Sequence, residues 1–213
     1  RRPEMRNRFK CISYLIVSAS VIFVQNGFAQ SLERLLSAAR TGDGATLVGM
    51  LDRGSDVDTA DQDGNTLLML AARSGHESVV RLLLARKAKP AQRNRYGDTP
   101  LMAACLEGYL GTAKLLLAAG SPLGGPGWTP LHYAATEGNA ELINFLVDRG
   151  AKLELQTGKA KTPLHLAAMN DRQDAVAALL KRGAALEARD GPRLVAAMLE
   201  HLTRTWERVQ SAI

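Results

Sequence analysis

The sequence predicts an all-α solenoid in which helix-turn-helix pairs stack side by side, joined by short β-turn loops. Three observations predict it. Of the 213 residues 46% are hydrophobic but only 5% aromatic, so the apolar content is chiefly Leu, Ala and Val, which suits small packed helices better than a sheet. A short pattern opening on threonine recurs at a nearly constant interval. Glycines then follow each copy at matching offsets, as in a chain built from one repeated unit.

The segment 1–29 reads as an export signal. Arg1, Arg2, Arg6, Arg8 and Lys10 precede an apolar run from Cys11 to Val24, and Gly27 and Ala29 supply small residues at the −3 and −1 positions of a cut before Gln30. This is the charged, apolar and small-residue order of a secretory signal peptide. Met5 can serve as the initiator. The alternative, an uncleaved anchor, needs roughly 18–20 apolar residues to span a bilayer, more than this run offers. Removal of the segment changes the electrostatics. The chain carries +6, but the stretch from Arg1 to Lys10 holds five of 27 basic and one of 21 acidic side chains, so the remainder is nearly balanced. No basic stripe with interleaved aromatics is present for nucleic acid, and no later segment could cross a membrane. Cys105 is the one cysteine beyond the signal. An oxidising compartment without an internal disulfide points to a bacterial periplasm, and Cys105, in an Ala-Ala-Cys run, reads as a small buried apolar side chain.

The array is expected over 30–190. A degenerate first unit occupies about 32–63, where Ala38-Ala39-Arg40-Thr41-Gly42 lies one full period before Ala71-Ala72-Arg73-Ser74-Gly75. Units follow at about 64–96, 97–126, 127–159 and 160–190. They open on Thr66, Thr99, Thr129 and Thr162, and continue Leu-Leu-Met, Pro-Leu-Met, Pro-Leu-His and Pro-Leu-His. The first and last of the three intervals are equal, and the middle one, from Thr99 to Thr129, is shorter. Threonine can cap a helix N-terminus, and proline fits the first helical position. Leucine and paired alanines then form a narrow apolar stripe. Gly75, Gly108 and Gly138 provide left-handed caps, second apolar runs follow, and Gly54, Gly120, Gly150 and Gly183 close them. Three departures stand out. Lys87 occupies a closing-glycine position, so its turn is strained or reshaped. Asp171 replaces a mid-unit glycine. The segment from Gly120 to Gly127 is where the short interval loses its length, which predicts a clipped, stiff turn. The segment 191–213 is expected to form a capping helix, with Val195, Met198, Leu199, Leu202, Trp206 and Val209 along one face.

These residues resemble the ankyrin repeat family, in an exported bacterial form: the TPLHxAA core, the following glycine and the xLLLxxG ending all occur, from Leu32 to Asp190. The resemblance implies a partner-binding module whose concave face is made of loop tips and the exposed sides of first helices. Carried over by position, that face comprises Asp63, Asn65 and Arg73; Arg95, Tyr96, Asp98, Leu106 and Glu107; Trp128 and Glu137; and Lys159 and Lys161. Tyr96, Trp128 and Arg95 are the expected anchors, since aromatic and arginine side chains dominate interface energetics. Trp128 can equally pack on its own loop. Asp61, Asp63 and Asp98 towards the front and Lys159 and Lys161 towards the back can polarise the face or be ordinary solvated charge.

No catalytic, cofactor or metal constellation is expected. His132 and His165 belong to the repeated motif, and the resemblance gives them a loop-buttressing role. His76-Glu77 lacks the second histidine of a zinc protease. Gly124-Gly125-Pro126-Gly127 lacks the Gly-Lys-Ser/Thr of a phosphate loop. The expected function is non-catalytic binding of another protein in the periplasm, as a monomer, without nucleic acid or membrane. An immunity-type inhibitor of a periplasmic toxin or enzyme is the alternative reading, and an enzyme built on exposed loops the second.

Overall fold

The computed structural model describes residues 29–184. The expected signal, apart from Ala29, and the expected capping helix at 191–213 lie outside the described residues. Within them, five helix pairs follow one another. Helix α1 covers residues 29–41 and pairs with α2 (Gly44–Asp52). Then come α3 (Leu67–Arg73) with α4 (Glu77–Ala85), α5 (Pro100–Leu106) with α6 (Leu110–Ala118), α7 (Pro130–Glu137) with α8 (Ala140–Asp148), and α9 (Pro163–Met169) with α10 (Gln173–Lys181). Among the described residues the only β pairing outside helices is an isolated bridge between Ala60 and Thr66.

Helices of two turns are too short to persist alone in water, so stacking must stabilise them. First helices pack on first helices, α3 on α5, α5 on α7 and α7 on α9, while α4 meets α6 and α8 meets α10 behind them. The repeated positions explain the fit. Leu68, Leu101, Leu131 and Leu164 are at most 1% exposed, and Ala71, Ala104, Ala134 and Ala167 are fully buried, so the helices approach across methyl groups. Cys105 takes an alanine's place in that stripe. The outer row buries Val79, Val80 and Leu83, then Ala113 and Leu116, then Leu142, Ile143 and Leu146, then Ala175, Val176 and Leu179. Thr112 stands in this row with its hydroxyl buried and without a hydrogen-bond partner.

The hydroxyls of Thr66, Thr99 and Thr162 accept from the backbone N–H of Met69, Met102 and His165, at 3.2, 3.3 and 3.4 Å. Thr129 forms a capping box with His132, and its hydroxyl also sits 2.7 Å from Nδ1 of His132, as that of Thr162 sits 2.8 Å from Nδ1 of His165. The closing turn at Lys87 keeps the shape of its glycine counterparts, with Lys87 itself left-handed at φ 65°. Asp171 is likewise left-handed at φ 56°. Gly75 is required twice over. It has φ 72°, and a Cβ there would lie 2.7 Å from the ring of Tyr109 in the next unit.

Candidate functional site

Each long loop is a small hairpin held by a polar side chain that stands at a fixed offset before the capping threonine. In the first, the Asp61 carboxylate accepts from the N–H of Asp63 at 3.0 Å and of Asn65 at 2.9 Å, and from the Asn65 amide at 3.1 Å. Burial raises its pKa, but the Asn65 and Asp63 hydrogen bonds and the charge of Arg40 outweigh that and leave it below the usual carboxylate value. In the second, Asn94 Oδ1 accepts from the N–H of Tyr96 at 3.0 Å and of Asp98 at 2.9 Å. The two hairpins are stitched together. Asn94 Nδ2 donates to Asn65 Oδ1 at 2.8 Å, and the Arg95 N–H donates to the Asp63 carbonyl at 3.0 Å.

The position falls on Gly124 in the clipped loop, which therefore has no side chain to fold around. Arg93 of the preceding hairpin covers that loop instead. Its guanidinium donates to the Gly97 carbonyl, and it lies where a Cβ on Gly125 would have to go. In the last hairpin Thr157 takes the role, its hydroxyl accepting from the Lys159 N–H at 3.4 Å and the Lys161 N–H at 3.3 Å. His132, fully buried, ties this hairpin to α7: Nδ1 accepts from the Thr129 N–H at 3.1 Å, and Nε2 donates to the Lys161 carbonyl at 3.2 Å. Burial lowers the pKa of its imidazole, against the opposing pull of carbonyls at Lys161 and Leu155.

The hairpins and the first helices enclose a hollow, and six of the residues singled out from sequence line it or the niche beside it, while Arg95, Tyr96, Trp128, Glu137, Lys159 and Lys161 do not. Asp63, Arg73 and Glu107 line its open part together with Arg40 and Asp61. Arg73 Nε lies 3.3 Å from Glu107, and Arg40 lies 3.6 Å from Asp61. Asn65 and Arg73 also border a deeper niche between α3 and α5, with Asp98 and Leu106. Tyr96 projects from the second hairpin, 74% exposed, its hydroxyl 3.4 Å from Asp63, and Arg95 beside it is exposed. Trp128 is 38% exposed while its ring centroid lies 5.0 Å from Tyr133 and 5.9 Å from His132, so it packs on its own unit and still presents an edge. Glu137 faces Arg172 at 3.8 Å. Lys159 is exposed, and Lys161 reaches Met169 Sδ at 2.8 Å, on the far side of the array from the niche.

Sequence reasoning missed the niche. Its floor is Met69, Leu70, Met102 and Leu106, its volume about 50 Å³. Met69 and Met102 stand where the later units have histidine, which was the available signal. Tyr133 was missed as well. Its hydroxyl donates to Asp98 at 2.7 Å, and burial with the Asp98 carboxylate raises its pKa well above the ordinary phenol value. Burial also pushes the Cys105 thiol far up, leaving it a poor nucleophile. Among the described residues no group of three or more His, Cys, Asp or Glu side chains is placed to hold a metal, and no helix is long and apolar enough to cross a membrane.

Comparison with known proteins adds two findings. A family model described as ankyrin repeats, in three copies, matches residues 24–124 and 121–190. A stretch of 33 residues is 58% identical to the mouse (Mus musculus) "Ankyrin repeat, SAM and basic leucine zipper domain-containing protein 1"; it amounts to 16% of this chain and 7% of that protein.

Proposed function

The chain belongs to the ankyrin repeat family, and from that premise we propose that it is a non-catalytic, monomeric module exported to the bacterial periplasm, where it binds a partner protein through the face between its hairpins and first helices. Ankyrin repeats are generally protein–protein interaction modules, and the family is typically non-catalytic. Nucleic acid and membrane are not among the proposed partners.

The observation that carries the binding reading is Tyr96. A ring 74% exposed stands on a hairpin whose N–H groups are already held by Asn94. Rigid aromatic groups bind well because little freedom remains to be lost on association. Tyr96 and Trp128 are the proposed anchors, with Arg95, Asp63, Asp98 and Glu107 around them, and Lys159 and Lys161 as outlying contacts. Export rests on the basic start, the apolar run and the small residues before Gln30.

The test uses the chain expressed with segment 1–29 intact in a Gram-negative host. Fractionation should find it in the periplasm with Gln30 at its N-terminus; retention in the cytoplasm with an intact N-terminus would refute export. Capture from periplasmic extract should give a partner whose recovery falls by about tenfold or more for the Tyr96→Ala, Trp128→Ala variant, as loss of two interface anchors predicts. Undiminished capture would remove both anchors from the proposal.

A further inference from the structure

The deeper niche between α3 and α5 and the open hollow beside it are one continuous surface, since Asn65, Leu70 and Arg73 line both. Two features of that surface define what fits it. The niche floor is apolar and contains two methionines, whose unbranched thioether chains adapt to the shape of what enters. A volume of about 50 Å³ suits the end of one aliphatic side chain.

The rim carries the second feature. Asp61, Asp63, Asp98 and Glu107 face only Arg40 and Arg73 across the two hollows, a local excess of two negative charges on an array that is otherwise nearly balanced. Both arginines are engaged, Arg40 with Asp61 and Arg73 with Glu107. Among the described residues no ion pair reaches Asp63 or Asp98. Each instead accepts from a tyrosine hydroxyl, Tyr96 and Tyr133 respectively, which orients a carboxylate without neutralising it. Arg95 lies on the same hairpin as Asp98 but lines neither hollow.

Resting on the protein-binding reading above, we propose that this surface selects a partner segment in which one aliphatic side chain lies beside a lysine or arginine. The aliphatic group fills the niche over Met69 and Met102. The neighbouring cation pairs with Asp63 or Asp98, in a setting where opposite charge attracts and a like charge on the partner is rejected.

A phage-displayed library of short random peptides, selected on the immobilised full chain, tests this. Enriched sequences should place Leu, Ile or Met next to Lys or Arg. The corresponding synthetic peptides should bind the Asp63→Asn, Asp98→Asn variant about threefold to fivefold more weakly, as the loss of one exposed ion pair predicts. They should also lose affinity for Ala103→Leu, which fills the niche. Should Ala103→Leu fail to fold, the charge variant, whose asparagines keep both tyrosine hydrogen bonds, decides alone. Acidic or charge-indifferent winners, an empty selection, or peptides indifferent to the charge variant overturn the proposal. Peptides that ignore the charge variant but are lost by Tyr96→Ala, Trp128→Ala overturn it while leaving the broader binding reading in place.

Discussion

The front and back of the array reach the same loop geometry by different chemistry. In front, the Asp61 and Asn94 hairpins are joined by a side-chain ladder, with Met69 and Met102 beneath them. Behind, His132 spans from the Thr129 N–H to the Lys161 carbonyl, a bridge no methionine can make. The difference teaches that the repeat fixes positions rather than interactions. Where methionine replaces histidine, Met102 Sδ still accepts from the Thr99 N–H at 3.4 Å, but the link to the neighbouring hairpin passes to the loops themselves.

The largest expected effect comes from breaking the rear bridge. His132→Ala removes a buried side chain and strands the groups it served, costing about 3 kcal/mol, whereas Asn65→Ala in the half-exposed front ladder costs about 1 kcal/mol. Denaturant melts measure both. Amide exchange should show the loss at Thr129, whose N–H His132 accepts, for the first variant and at Arg95 for the second.

Acid separates the halves next. Folding lowers the pKa of His132, so below its ordinary value of 6.5 the unfolded chain takes up the proton first. Stability is therefore complete above about pH 6.5 and falls as pH drops from there through the folded value. Asp61 is also lowered, from 3.8, so its contribution persists to far lower pH and fades only below about 3.8. Melting temperature between about pH 7 and about pH 5 should decline for the native chain and stay flatter for His132→Gln; equal slopes would refute the assignment to His132.

The smallest effect tests whether the two halves act as one unit. Thr112→Val in α6, midway between them, removes an unpartnered buried hydroxyl without changing shape and should stabilise by about 1 kcal/mol. In a solenoid coupled through nearest neighbours, exchange should slow on both sides of α6. Slowing confined to one side would make the halves independent.

The fold was legible because its determinants are local. Threonine caps, Pro100, Pro130 and Pro163 at first helical positions, and left-handed glycines act within a few residues, and their repetition exposed the period. The exceptions were legible too: Lys87 and Asp171 adopt the left-handed backbone that their neighbours' glycines imply. The site was less so. Asn65 meets Asn94, Asp98 meets Tyr133, and Met69 meets Met102 only after units distant in sequence are stacked. Trp128 packs on Tyr133 and His132 and keeps an exposed edge, a placement its position before Thr129 did not reveal.

The clipped loop has a consequence for how a partner aligns. A strictly periodic surface offers the same seat at every translation of one unit, and a ligand can slip along it. The shortened interval between Thr99 and Thr129 breaks that translational symmetry, and Gly124 leaves one finger missing from the row. Whatever docks across the hairpins meets a single gap at a single place. For a partner docked as proposed, the shortened turn would be an origin mark from which the other contacts along the array are measured.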